Sequence, residues 1–432
     1  MSRANAMASS APGATPSVDR LVTGIAQLVT PAGPGAKRGA QQSGLQVLKD
    51  AAIAVQGGTV VWLGPAATWR GEAADEVELG GRAVVPGLVD PHTHLLWAGE
   101  RYDDLDDRLA GVPYERILAR GGGIRSTVRA TAAAEQGALL RTARARLGDL
   151  VASGATTVEV KSGYGGTIEA ELAALEAIAA LRAEAVVRVV PTLLVHLPDP
   201  VDRAGHLRAV IQRLVPEVAA RGLAARLDVF VEREAFSAAE AERILQAGRA
   251  HGFDLTVHAD QFHAVGGVDL AVRLGARSVD HLEASGVEQI DLLAQGDTIA
   301  TLLPGVSLEL GLPPAPGRAL IDAGVPVALA SDLNPGTSPL HSTALALALS
   351  LRINRLRPAE ALVAGTVNAA AALGLDDVGW LGVGSRADFV VCAESDWRSL
   401  LHGLGGPGPI EAWAAGRRVD RGTGATPDRS VS

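Results

Sequence analysis

The chain has 432 residues, a hydrophobic fraction of 47% and a formal net charge of −9. That length exceeds one ordinary domain and supplies ample core, while an acidic balance without a long Lys/Arg block argues against a nucleic-acid partner. One cysteine, Cys392, excludes an intramolecular disulfide and a Cys-rich zinc site, and no run of eighteen uncharged apolar residues offers a membrane span, so a cytoplasmic protein is expected.

Residues 1–19 lack a continuous apolar segment and are expected to form a disordered N-terminal tail. From Arg20 to Val85, short β-like runs such as Ala51–Val55 and Thr59–Leu63 are separated by Gly-rich turns, here Gln56-Gly57-Gly58. Hairpins of this kind need another sheet to pack on. The runs Gly384–Val391 and Glu411–Val419 supply candidates, so residues 20–85 and 376–425 are expected to build one small composite β-sandwich domain from both chain ends.

Between 86 and 375 the texture changes to apolar strands alternating with Ala/Leu/Arg/Glu helices. Helices are expected over Gly137–Ser153 and Ile168–Ala185. Strands are expected at Ala155–Val160, Val186–Thr192, Leu227–Val231, Leu255–His258, Ser278–His281, Ile299–Leu303 and Val325–Ala330, after a first one ending near Val89. Alternation of this kind means βα units and a parallel sheet, and about eight strands favour an α/β (β/α)8 TIM-like barrel over an open sheet.

Barrel chemistry sits at the C-terminal strand ends. His92 and His94 follow Pro86–Val89 and stand two residues apart, so both rings can reach one ion if the segment is extended. Read alone, an HxH pair is equally well a polar turn. His258, His281 and Asp332 end later strands, and several imidazoles with a carboxylate suit a Zn²⁺-like ion that lowers the pKa of a bound water from ~15.7 towards ~7. A hydrolase follows.

Pro86–His94 with His258, His281 and Asp332 resembles the metal-dependent amidohydrolase superfamily. Glu159–Gly165, Ser331–Pro339, Ala119–Ile124, His258–Gln261 and Ala300–Gly305 resemble, more narrowly, the imidazolonepropionase family of histidine degradation. The resemblance spans about residues 20–420. It implies one zinc or iron ion held by His92, His94, His258 and Asp332, and hydrolysis of the ring amide of 4-imidazolone-5-propanoate to N-formimidoyl-L-glutamate by a metal-activated water. Proton handling falls to His281 and Asp332, with His281 alternatively only a hydrogen-bond partner behind the ligands.

The same resemblance places Arg101 at the carboxylate-binding position, where a guanidinium can grip bidentately. Its other reading is a surface partner of Asp103 or Asp104. Tyr164, His196, Gln261, Asn334, Gly336 and Thr337 are the further substrate-binding candidates. Lys161 is expected to form a structural ion pair, Gly121-Gly122-Gly123 a turn or lid, and Asp103–Asp107 a solvated face. Pro191–Pro198 and Val306–Pro316 depart from the family pattern, which bears on substrate preference. Another cyclic-amide hydrolase or a heterocycle deaminase is the alternative activity, and a non-catalytic binding scaffold the alternative class. A homodimer is the assembly expected by analogy.

Overall fold

The computed structural model describes residues 17–112, 114–406 and 408–419. The first sixteen residues of the expected tail and residues 420–425 of the expected β domain lie outside the described residues. Ser17–Asp19, assigned to the tail from sequence, already belong to a strand.

Two sheets organise the chain. The first contains β1 (Ser17–Pro31), β2 (Leu45–Gln56), β3 (Thr59–Pro65) and β4 (Glu72–Pro86), joined by three late strands. The barrel strands come between: β5 (Leu88–Asp90), β6 (Ala155–Lys161), β7 (Arg188–Val195), β8 (Arg226–Val231), β9 (Asp254–Ala259), β10 (Ser278–His281), β11 (Ile299–Leu302) and β12 (Val327–Leu329). The late strands are β13 (Phe389–Val391), β14 (Glu411–Ala414) and β15 (Arg417–Val419).

The β-sandwich expected from the two chain ends takes the form of one seven-stranded sheet, ordered β15-β14-β13-β4-β1-β2-β3. Its join is β4 with β13, where Val84–Pro86 pair antiparallel with Phe389–Val391. Val22, Ile25, Leu28, Ile53, Phe389 and Trp413 fill its core. The Phe389 and Trp413 rings stack with centroids 5.1 Å apart, a geometry that adds to their burial.

β5 to β12 pair in sequence order, neighbour to neighbour and parallel, as a (β/α)8 barrel requires. A bridge between Thr93 and Leu333 closes the ring. The expected helices form over Gln136–Ala152 and Ile168–Glu184, the second started by Thr167, whose hydroxyl accepts the Ala170 N–H at 3.2 Å. Buried Leu147, Leu150, Leu175 and Ile178 on these helices pack against the strands.

The apolar run Ala83–Val89, whose end was expected to be the first barrel strand, is divided between the two sheets: residues 83–86 finish β4, and the barrel begins at Leu88. Gly87 makes the transfer, because a Cβ there would lie 2.1 Å from Thr156 Oγ1, so the chain can cross between the sheets only where no side chain exists.

Candidate metal centre and active site

The barrel's closing seam carries the expected ligands. Asp332 donates its N–H to the His92 carbonyl, and His94 donates to the Leu333 carbonyl, both at 3.0 Å. Asp90, at the end of β5, accepts the Ser331 N–H at 3.1 Å and the Thr343 hydroxyl at 2.8 Å, which ties the two sides of the seam behind the histidines. His281 and Asp332 adopt φ of 88° and 51°, left-handed values that cost a side-chain-bearing residue about 1–3 kcal/mol. The fold holds both there, at the ends of β10 and β12.

Nitrogen atoms of His92, His94 and His258 gather within 4.8 Å of one another, and so do ligand atoms of His92, His281 and Asp332. Asp332 Oδ1 lies 3.2 Å from His94 Nε2 and 3.4 Å from His92 Nε2. All five residues are buried. Carboxylates take the outward nitrogens: His92 Nδ1 bonds Asp280 Oδ2 at 2.7 Å, and His258 Nδ1 lies 2.8 Å from Asp228 Oδ2. These contacts fix the rings with Nε2 directed inwards, the usual support of a metal-bound imidazole.

His92 Nε2, His258 Nε2 and Asp332 Oδ1 are buried without a hydrogen-bond partner, as are His94 Nδ1 and His281 Nδ1. Leaving converging polar atoms unpaired is costly unless something binds them. Beneath them, Lys161 and Arg226 are outnumbered by Glu159, Asp228 and Asp280, an acidic excess that a divalent cation offsets. The donor set therefore fits a metal ion.

Burial pushes His258 down to about 3 and also lowers His94, against the pull of Asp228 and Asp332 respectively. Both are thus in the neutral state a ligand needs. Burial and Lys161 lower His92 too, but its bond to Asp280 and the nearby Asp332 carboxylate outweigh them and raise it to about 9.

A cavity of about 670 Å³ opens over this cluster. Every substrate-binding candidate from the sequence lines it: Arg101, Tyr164, His196, Gln261, Asn334, Gly336 and Thr337, together with His94, His258, His281 and Asp332. The His94 and His196 rings stack at 5.6 Å, and Tyr164 lies 5.5 Å from His196. Burial, with the neighbouring imidazoles, holds His196 well below the ordinary histidine range.

For Arg101 the two sequence readings are compatible in the fold. It does pair with Asp104, yet both are buried rather than at the surface, and its Nη2 has no partner. The acidic run is corrected accordingly: it lies on the helix Tyr102–Leu109, and Asp104 turns inwards to accept Arg101 and the Gly123 N–H at 3.0 Å. Asn334 spends its side chain on its own loop, donating to the Asp332 carbonyl at 2.7 Å and accepting the Gly336 and Thr337 N–H groups at 2.8 Å each. That turn brings Gly336 against the Arg101 guanidinium.

Residues 115–399 match the model of the amidohydrolase family. The chain is 56% identical over 401 residues to the imidazolonepropionase of Deinococcus radiodurans, covering 93% of this chain and all of that one. It is 43% identical to the imidazolonepropionase of Chloroflexus aggregans, over 90% and 95% of the two chains. The chain belongs to the amidohydrolase family and, within it, to the imidazolonepropionases.

Solved structures share the fold. An adenosine deaminase from Xanthomonas campestris with bound zinc superposes with TM-score 0.69 at 21% identity, covering 95% of each chain. A triazine hydrolase variant gives 0.70 at 17% identity, covering 94% of this chain and 96% of that one. Sequence reasoning left out Asp228 and Asp280, although each is a lone acid inside an apolar strand. It also passed over Phe230, Glu232 and His263, which line the cavity, and Leu312, which reaches it from the divergent Val306–Pro316 segment.

Proposed function

We propose that this enzyme hydrolyses the ring amide of 4-imidazolone-5-propanoate to N-formimidoyl-L-glutamate in histidine degradation. In this reading one divalent ion, zinc or iron, is held by His92, His94, His258 and Asp332. The observation that carries it is the convergence of unpartnered Nε2 and Oδ1 atoms at the floor of a cavity that Arg101 also lines. Family membership supplies the substrate.

The ion, when bound, makes water nucleophilic at neutral pH and polarises the ring carbonyl. The chain's own residues do the rest. Water oxygen bonds to the carbonyl carbon, the ring C–N bond breaks, and the leaving nitrogen takes a proton. His281 and Asp332 accept the water proton and return it, since both lie at the cluster and both line the cavity. Arg101 receives the propanoate through its unpartnered Nη2, while Tyr164, His196 and Gln261 flank the ring. Gly336 and Thr337 form the wall that Asn334 folds.

The test is direct. Zinc- or iron-loaded enzyme should remove imidazolone propanoate absorbance and produce stoichiometric formimidoylglutamate. A metal-loaded enzyme that leaves this substrate untouched but releases ammonia from heterocyclic amines would overturn the assignment in favour of a deaminase.

A further inference from the structure

Lys161, the last residue of β6, is 1% exposed and points into the barrel beneath the proposed ligands. Its Nζ lies 2.7 Å from Glu159 Oε2, 2.8 Å from Asp228 Oδ2 and 3.9 Å from Asp280 Oδ2. Glu159 has further partners in Thr192, whose hydroxyl donates at 2.5 Å, and Arg226 at 3.6 Å. Asp228 and Asp280 instead face the histidines. Asp228 lies against His258, and Asp280 against His92.

These two carboxylates stand on β8 and β10, which pair neither with each other nor with β6, the strand that carries Lys161. One ammonium therefore reaches across the barrel interior and joins two orienting groups that the sheet itself leaves separate. Two like charges sharing one ammonium repel, and without that cation the repulsion draws each carboxylate from its imidazole, against the His258 N–H that donates to Asp228 at 3.2 Å and the Thr256 hydroxyl that donates to Asp280 at 3.5 Å. We propose that Lys161 is a positioning residue for the metal: it holds Asp228 and Asp280 together, and through them sets His258 and His92 in one ligand geometry. The inference rests on the reading that His92 and His258 are ligands.

The experiment measures zinc affinity by titrating the zinc-loaded enzyme with a chromophoric chelator. Lys161→Met should weaken zinc binding about 10–100-fold, as loss of groups behind ligands typically does. Because the effect runs through the two carboxylates, adding Lys161→Met to Asp228→Asn/Asp280→Asn should cost less than about threefold more. The cobalt-substituted Lys161→Met enzyme should also show a shifted d–d absorption band, which a purely structural role would not produce.

Lys161→Met/Glu159→Gln removes a cation and an anion together, and keeps the test readable if the single variant unfolds. Zinc affinity within about threefold of wild type in either folded variant overturns the proposal, as does an undiminished effect in the Asp228→Asn/Asp280→Asn background. If both variants melt below the assay temperature, Lys161 serves stability and the proposal is again rejected. Wild-type enzyme that binds no zinc would instead refute the ligand assignment itself.

Discussion

Gly336→Ala tests the carboxylate clamp without substituting any charged residue. The position is not one of the left-handed glycines, so alanine imposes no backbone strain. The added methyl, however, would lie 2.5 Å from Arg101 Nη1, 2.9 Å from Cζ and 3.1 Å from Nη2. Approaches under 3 Å do not persist, so the guanidinium must move. It has little room, being 8% exposed with Asp104 on its Nε side and Thr127 Oγ1 at 3.5 Å. A displaced guanidinium forfeits a charge-assisted hydrogen bond to the substrate carboxylate, worth about 1.5–3 kcal/mol. At ~1.4 kcal/mol per tenfold, KM should rise about 10–150-fold. Because the contact is far from the breaking bond, kcat and metal content should change little. Steady-state kinetics with metal analysis reads both. Arg101→Ala sets the ceiling, and the double variant should be no worse than Arg101→Ala alone, since both substitutions remove one interaction. A KM within twofold of wild type, or a loss confined to kcat, would refute the clamp.

Asp332→Ala should lower bound metal and turnover together, with kcat/KM down by about a thousandfold for the several kcal/mol the ion contributes; full metal content with intact turnover would contradict its role as a ligand. Gly87→Ala should cost about 1–3 kcal/mol by driving a methyl into Thr156, seen as a lower melting temperature, and an unchanged melt would show that the β4–β5 crossing has more room than its 2.1 Å approach indicates. Burial, aided by Asp396, pushes the Cys392 thiol up to about 12, so it stays protonated at pH 8; a disulfide reagent should label no thiol in the native protein and one after denaturation, and rapid native labelling would place Cys392 outside the core.

The barrel was legible because its strands are apolar and short while its helices are long and Ala/Leu-rich, two textures that local pattern separates. Its first strand was not, because Ala83–Val89 is uniformly apolar in both sheets it serves, and only the Gly87–Thr156 approach marks the change. The clustered histidines were legible from their places after strands. The groups that orient them were harder to reach, since Asp228 and Asp280 look alike in sequence whether they face an imidazole, a lysine or solvent. Arg101 shows the limit most clearly. Sequence offered a substrate clamp or a partner of Asp104 as alternatives, whereas in the fold one does not exclude the other: Asp104 holds the Nε side and leaves Nη2 without a partner in a residue that lines the cavity. A choice between two partners is local in sequence. Whether one side chain can serve both depends on which edge of the guanidinium each partner occupies, and that is decided only when the Asn334–Thr337 turn, more than two hundred residues away, closes against it.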